Sequence, residues 1–195
     1  MVSMNLRKIS IIVLVLFALG IDRNLYANET KRNDVDYTIY VDEIVRSFAK
    51  EMKKEFGLVC VGSGGGMPYD VEEIEVEFYV YQNATIEQAR ELEVKVTEKF
   101  LEKINKHKKI RPYLREYPFV SKRAKVILSF NDSNNMRYLD GSVVLLFQAR
   151  GNLCYFKAEP TKTKKYTTED LVKIHVEPYE EALKIVNEGK DKKKA

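Results

Sequence analysis

Glu73-Ile74-Glu75-Val76-Glu77-Phe78-Tyr79-Val80-Tyr81 is the stretch whose reading decides the fold. Ile74, Val76, Phe78 and Val80 alternate with glutamates and tyrosines. A period of two with one apolar side is a half-buried strand, one face against a core and the other toward water. Working toward the amino end, Leu58-Val59-Cys60-Val61 is a second, shorter apolar run. Gly62-Ser63-Gly64-Gly65-Gly66-Met67-Pro68 separates the two. The pair is predicted to form a hairpin with the glycine segment as its flexible tip. Before it, Ile44, Val45, Phe48, Ala49, Met52 and Phe56 recur at helical spacing from Val41 onward, and Gly57 ends that helix.

Toward the carboxyl end, Thr85 is placed to cap a long helix, with Glu87 and Gln88 in its first turn. Ile86, Ala89, Leu92, Val96, Phe100, Leu101 and Ile104 point inward, and Lys106 to Lys109 bring cations to its end. Ile110 to Phe119 is an ordered connection carrying Pro112 and Pro118. Ala124–Phe130, Ser142–Ala149 and Leu153–Ala158 read as strands, the last two joined by the turn Arg150-Gly151-Asn152. Thr161–Thr168 is a basic loop or irregular edge, Leu171–Val176 fits either strand or helix, and Pro178 opens a last helix to about Glu188. The expected fold is α+β, a two-layer sandwich. Its sheet is mostly antiparallel, of about five strands, with helices packed on one face. The single domain spans 41–188, between a mobile arm over 28–40 and a basic, disordered tail over 189–195.

The first 27 residues read as a secretory signal peptide. Arg7 and Lys8 precede an apolar run from Ile9 to Ile21, which is shorter than the roughly 20 residues of a membrane span. Ala27 stands where a signal peptidase cuts; the alternative is a leader kept as a membrane anchor. Cys60 is the first cysteine, so a lipoprotein is excluded. Arg7, Lys8 and Arg23 outweigh Asp22 by two charges, half of the formal +4. Basicity is therefore weak support for a nucleic-acid partner, and none is expected.

The remaining chain is large enough to bury a core without staples. Twelve Tyr and nine Phe, with no Trp, suit a packed sheet. Two cysteines remain, Cys60 and Cys154. In an oxidising compartment they form a disulfide if their strands are neighbours; otherwise they are two buried thiols. No CxxC spacing occurs, so no zinc or thioredoxin-like site is supported, and no cofactor is expected.

Candidate binding residues fall in two places. Gly64, Gly65 and Gly66 belong to the glycine segment, where backbone N–H groups can converge on a ligand. Met67, Pro68 and a strand follow, though, where a phosphate loop needs Lys, Ser or Thr and a helix. Arg111, Tyr113 and Arg115 lie in the densest basic stretch, Lys103 to Lys125, which suggests anionic lipid, acidic glycan or an acidic partner in an exported protein. The same arginines can instead cap carbonyls or pair with acids, and Tyr113, Leu114, Tyr117 and Phe119 can lock the helix to the sheet. Glu73, Glu75 and Glu77 crowd one strand face, about 7 Å apart, which reads as a charged solvent face that Lys125 can partner. His107 and His175 are the only histidines, and neither belongs to a catalytic motif.

Ile110-Arg111-Pro112-Tyr113-Leu114-Arg115-Glu116-Tyr117-Pro118-Phe119, with the leader and Glu177-Pro178-Tyr179-Glu180-Glu181-Ala182-Leu183, resembles a group of uncharacterised exported proteins of Gram-negative, intracellular-living bacteria. The resemblance implies an envelope or secreted location and brings no activity or site residue. The leading expectation is an exported, periplasmic or secreted, non-enzymatic module that binds an unidentified protein or envelope component. It touches membrane only through the leader or peripherally through the basic stretch. The alternatives are an exported hydrolase-type enzyme with a site assembled in space, and a secreted factor acting on a host. A deep pocket holding His175, carboxylates or the glycine segment would favour an enzyme; a flat aromatic or basic patch would favour binding.

Overall fold

The computed structural model describes residues 36–159 and 171–192. The expected leader, most of the arm, the basic segment Thr161–Thr168 and the last three residues lie outside the described residues. The chain divides into two compact units, Met1–Asp36 and Tyr37–Ala195. Every helix and strand among the described residues belongs to the second.

The fold is α+β. The elements are α1 (Thr38–Phe56), β1 (Val59–Gly66), β2 (Glu73–Val80), α2 (Ile86–Lys106), β3 (Ala124–Phe130), β4 (Leu145–Ala149), β5 (Asn152–Ala158), β6 (Leu171–Pro178) and α3 (Tyr179–Lys192). Six strands rather than five form one sheet in chain order, β1 through β6. All neighbours are antiparallel except β2 and β3, which run parallel because α2 carries the chain back across the sheet.

Local chemistry sets the element ends. Gly57 takes a left-handed conformation (φ 71°) and donates its N–H to the Lys53 carbonyl, closing α1. Thr85 Oγ1 accepts from the Gln88 N–H while Gln88 Oε1 accepts from the Thr85 N–H, a reciprocal cap on α2. Arg150 and Gly151 both have positive φ, the pattern of a two-residue turn whose twist matches the strands β4 and β5. The alternation of β2 is realised in full: Ile74, Val76, Phe78 and Val80 are buried and the residues between them are half-exposed. Phe48 of α1 stacks on Phe100 of α2 at 4.6 Å and meets Phe78 of β2 edge-on at 5.9 Å. These rings join both helices to the sheet, each burial contributing roughly 1.5–3 kcal/mol.

Three expectations are corrected. α1 opens at Thr38, so residues 38–40 are helical rather than part of an arm. α3 continues to Lys192, four residues past the expected end at Glu188. The glycine segment is not a hairpin tip: Gly62 to Gly66 pair with Glu77 to Glu73 as the second half of β1, and the tip is Met67 to Glu72. Leu171–Val176, open between strand and helix in sequence, is strand.

Candidate functional site

The two sets of candidate binding residues meet at one end of the sheet. β1 delivers Gly64, Gly65 and Gly66 there. Glu72 donates its N–H to the Gly66 carbonyl, and Val71, the residue before it, forms a bridge with Leu114 through the Tyr113 carbonyl and the Arg115 N–H. Tyr37 donates its hydroxyl to the Met67 carbonyl at 3.2 Å and stacks on Tyr113 at 5.3 Å. Arg115 binds Asp70 at 2.9 Å and also contacts the Glu72 carboxylate. Arg111 donates to the Asn105 carbonyl at the end of α2 and lies over the Tyr117 ring.

These arginines are therefore occupied, one as a helix cap and one in an acid clamp. In the same stretch, Lys103, Lys106, Lys122, Arg123 and Lys125 each sit beside a carboxylate, while Lys109 lies over the Tyr40 ring. Asn105 was not legible in sequence. Its side chain accepts from the Phe119 N–H at 2.7 Å and donates to the Phe119 carbonyl at 3.0 Å, fixing the proline-rich connection against α2. Leu114 and Phe119 are buried as expected, whereas Tyr117 is half-exposed and packs outward under Arg111.

The carboxylates of β2 follow the expected solvent face only in part. Lys125 stands in register with Glu75 but reaches diagonally to Glu73 at 2.6 Å, and Glu77 accepts from Ser129 at 3.1 Å. Glu75 has no ion-pair partner among the described residues. Beside them β1 is bare. At Gly62 the place of a Cβ lies 3.6 Å from Glu77 Oε2, and at Gly64 it lies 4.0 Å from Glu75 Oε1. Further across the same face, Phe147 stacks on Phe156 at 5.4 Å, with Ile127 and Leu145 in register beside them. No described element covers this side of the sheet, since all three helices pack on the other.

Cys60 and Cys154 are free thiols. β2, β3 and β4 lie between their strands, so at about 4.8 Å per strand they stand on the order of 19 Å apart, far beyond disulfide reach. Of the two alternatives, separate thiols hold, Cys154 buried and Cys60 half-buried. Burial raises the Cys60 thiol above its ordinary value, although a backbone hydrogen bond from Gly62 pulls the other way.

The histidines also resolve. His107 accepts the Ile110 N–H on Nδ1 and faces Glu43 with Nε2 at 3.4 Å, closing the end of α2. His175 lies 3.6 Å from Glu177 inside a network that the sequence concealed. Burial opposes ionisation of Glu177, but hydrogen bonds from Arg90 and Tyr155 outweigh it and hold the carboxyl below its ordinary value. Burial and the same carboxylate push the Tyr155 phenol far up. Glu93 is fully buried on α2, with only Thr97 as partner, and burial holds its carboxyl well above the usual range. This cluster seams β5 and β6 to α2. His175 Nε2 is buried with no hydrogen-bond partner among the described residues. A cleft of about 540 Å³ opens at the start of α2, lined by Asn83, Glu87, Asp140, Ser142 and Ile174 among others; of the groups that would mark an enzyme it holds the carboxylates of Glu87 and Asp140, but neither His175 nor the glycine segment. No group of metal-ligating side chains and no membrane-spanning helix occurs among the described residues.

Comparison with protein-family models, with curated proteins and with solved structures finds no match to this chain.

Proposed function

We propose that the chain is an exported, non-enzymatic binding module that takes a protein partner on the helix-free side of its sheet. The observation that carries this reading is the asymmetry of the two layers. Three helices cover one face, while on the other stacked phenylalanines, the glutamates of β2 and a glycine strand lie with no described element over them. Surfaces of this kind serve recognition, whereas small-molecule chemistry needs a concave site with converging polar groups. The leader, with its Arg7-Lys8 start, apolar run and Ala27, supports export.

Fractionation of cells expressing a carboxyl-terminally tagged chain, followed by crosslinking pull-down, tests the reading. The expected result is a cleaved chain outside the cytoplasm, with a partner lost in a Phe147→Lys variant that still folds. Recovery in the cytoplasm with an intact amino end would sink the export half. Undiminished partner recovery by Phe147→Lys would sink the choice of surface.

A further inference from the structure

The two borders of the sheet are built differently. β6, at one border, carries Lys173, His175 and Glu177, ends on Pro178, and is bulged where its register with β5 jumps from His175 to Lys173. Charges, a proline and a bulge are the devices that stop a border strand from recruiting another. β1, at the other border, reads Val-Cys-Val-Gly-Ser-Gly-Gly-Gly and has none of those charges or prolines. Its one bulge lies at Val61, leaving Gly62 to Gly66 as an unbroken paired run on the side facing β2. Ser63, Gly64 and Gly65 are exposed and no described strand pairs with their outer side.

We propose that β1 accepts an extended basic peptide segment of a partner as a seventh strand. Backbone hydrogen bonds from such an addition are sequence-independent, and side chains reading the neighbouring face supply the specificity. Here that face is acidic. The carboxylates of Glu77, Glu75 and Glu72 lean over the glycines, with nothing at Gly62 or Gly64 to separate them from a chain laid along β1. A lysine or arginine at alternate positions of the added strand would cross the bare glycine row and meet Glu75 and Glu77. Glu75 is the unpaired member. Charge complementarity also argues against a second copy of this chain as the occupant, because two β1 borders would bring two glutamate rows together. The proposal deepens the binding-module reading and rests on it.

The test uses the full-length chain and a blocked ten-residue peptide alternating lysine and threonine, with a glutamate–threonine peptide as control. Backbone amide spectra and hydrogen exchange are followed during titration to millimolar peptide. Protection is expected at Val61 to Gly66, with the lysine peptide only. Gly64→Val fills the row without straining the strand, and Glu75→Gln removes the free carboxylate. Each should weaken binding about three- to fivefold, the scale of one exposed charge pair. Protection elsewhere, equal response to both peptides, no response, or a dimer by sedimentation without peptide would overturn the proposal. A partner still captured through Phe147 in that case would leave the binding-module reading standing and reject the β1 border alone.

Discussion

Glu93 shows how a single side chain can announce itself in sequence and still be missed. It stands four residues after Ala89 and three before Val96, on the apolar stripe that continues through Phe100 and Ile104. A carboxyl on that stripe is a signal, because burial there costs the charged form its hydration. Arg90 and Glu177 gave no such signal, being 87 residues apart and joined only by the completed fold. Folding raises the Glu93 carboxyl well above 4.5, so the folded chain retains a proton that the unfolded chain releases. Its contribution is complete below that ordinary value and is lost as pH rises from there toward the folded value. Glu93→Gln should therefore melt a few degrees higher than the native chain near pH 8, with the gap closing toward pH 4. Thermal melts across that range check it, and a variant that loses stability with pH as steeply as the native chain would refute it. Glu177 has the opposite sign: its carboxyl is held below the ordinary value, so its contribution is present above that value and lost in acid.

At the scale of elements, helices and alternating strands were legible, and glycine strands were not. Period-two reading depends on side chains, so Gly62 to Gly66 appeared as a break, although ladder pairing requires only the backbone. β6 was ambiguous for a related reason, since its bulge interrupts the alternation. The parallel pairing of β2 and β3 was equally hidden, because it follows from where α2 packs. The glycines of β1 are not equivalent. Gly65 has φ 151° and a Cβ there would stand 2.1 Å from the Glu73 carbonyl oxygen, whereas Gly64 meets only Glu75 Oε1 at 4.0 Å. Gly65→Ala should lose roughly 1–3 kcal/mol, while Gly64→Ala should be neutral or gain about 0.5–1 kcal/mol. Denaturant titration of both variants distinguishes this from a freely flexible segment, in which the two would behave alike.

For the whole molecule, composition and periodicity gave the two layers, and the helix-free face on which binding is proposed became visible only once all helices were found on one side. The candidate residues Gly66, Tyr113 and Arg115 did converge, but Tyr113 and Arg115 are held by Tyr37, Asp70 and Glu72. The side of the sheet with no described element over it runs instead from β1 and β2 across to Phe147 and Phe156. Strand order also decides the cysteine question, since no rearrangement short of unfolding brings β1 beside β5. The melting temperature should be the same with and without reductant, and alkylation of the unreduced, unfolded chain should add two groups. A single protein species carrying fewer labels would contradict the separation of the two thiols.

A sheet whose spatial order repeats its chain order has a further consequence for how it is made. Each strand docks on the one synthesised just before it, so the sheet can be laid down as the chain emerges, amino end first, without any segment threading between strands already in place. The advancing front moves from β2 to β6, and the Arg90–Glu177 pair fastens it only when the last strand arrives. The starting border, β1, is present from the first hairpin onward and is never the front. A partner that recognises it would find its docking place formed before the rest of the domain is finished.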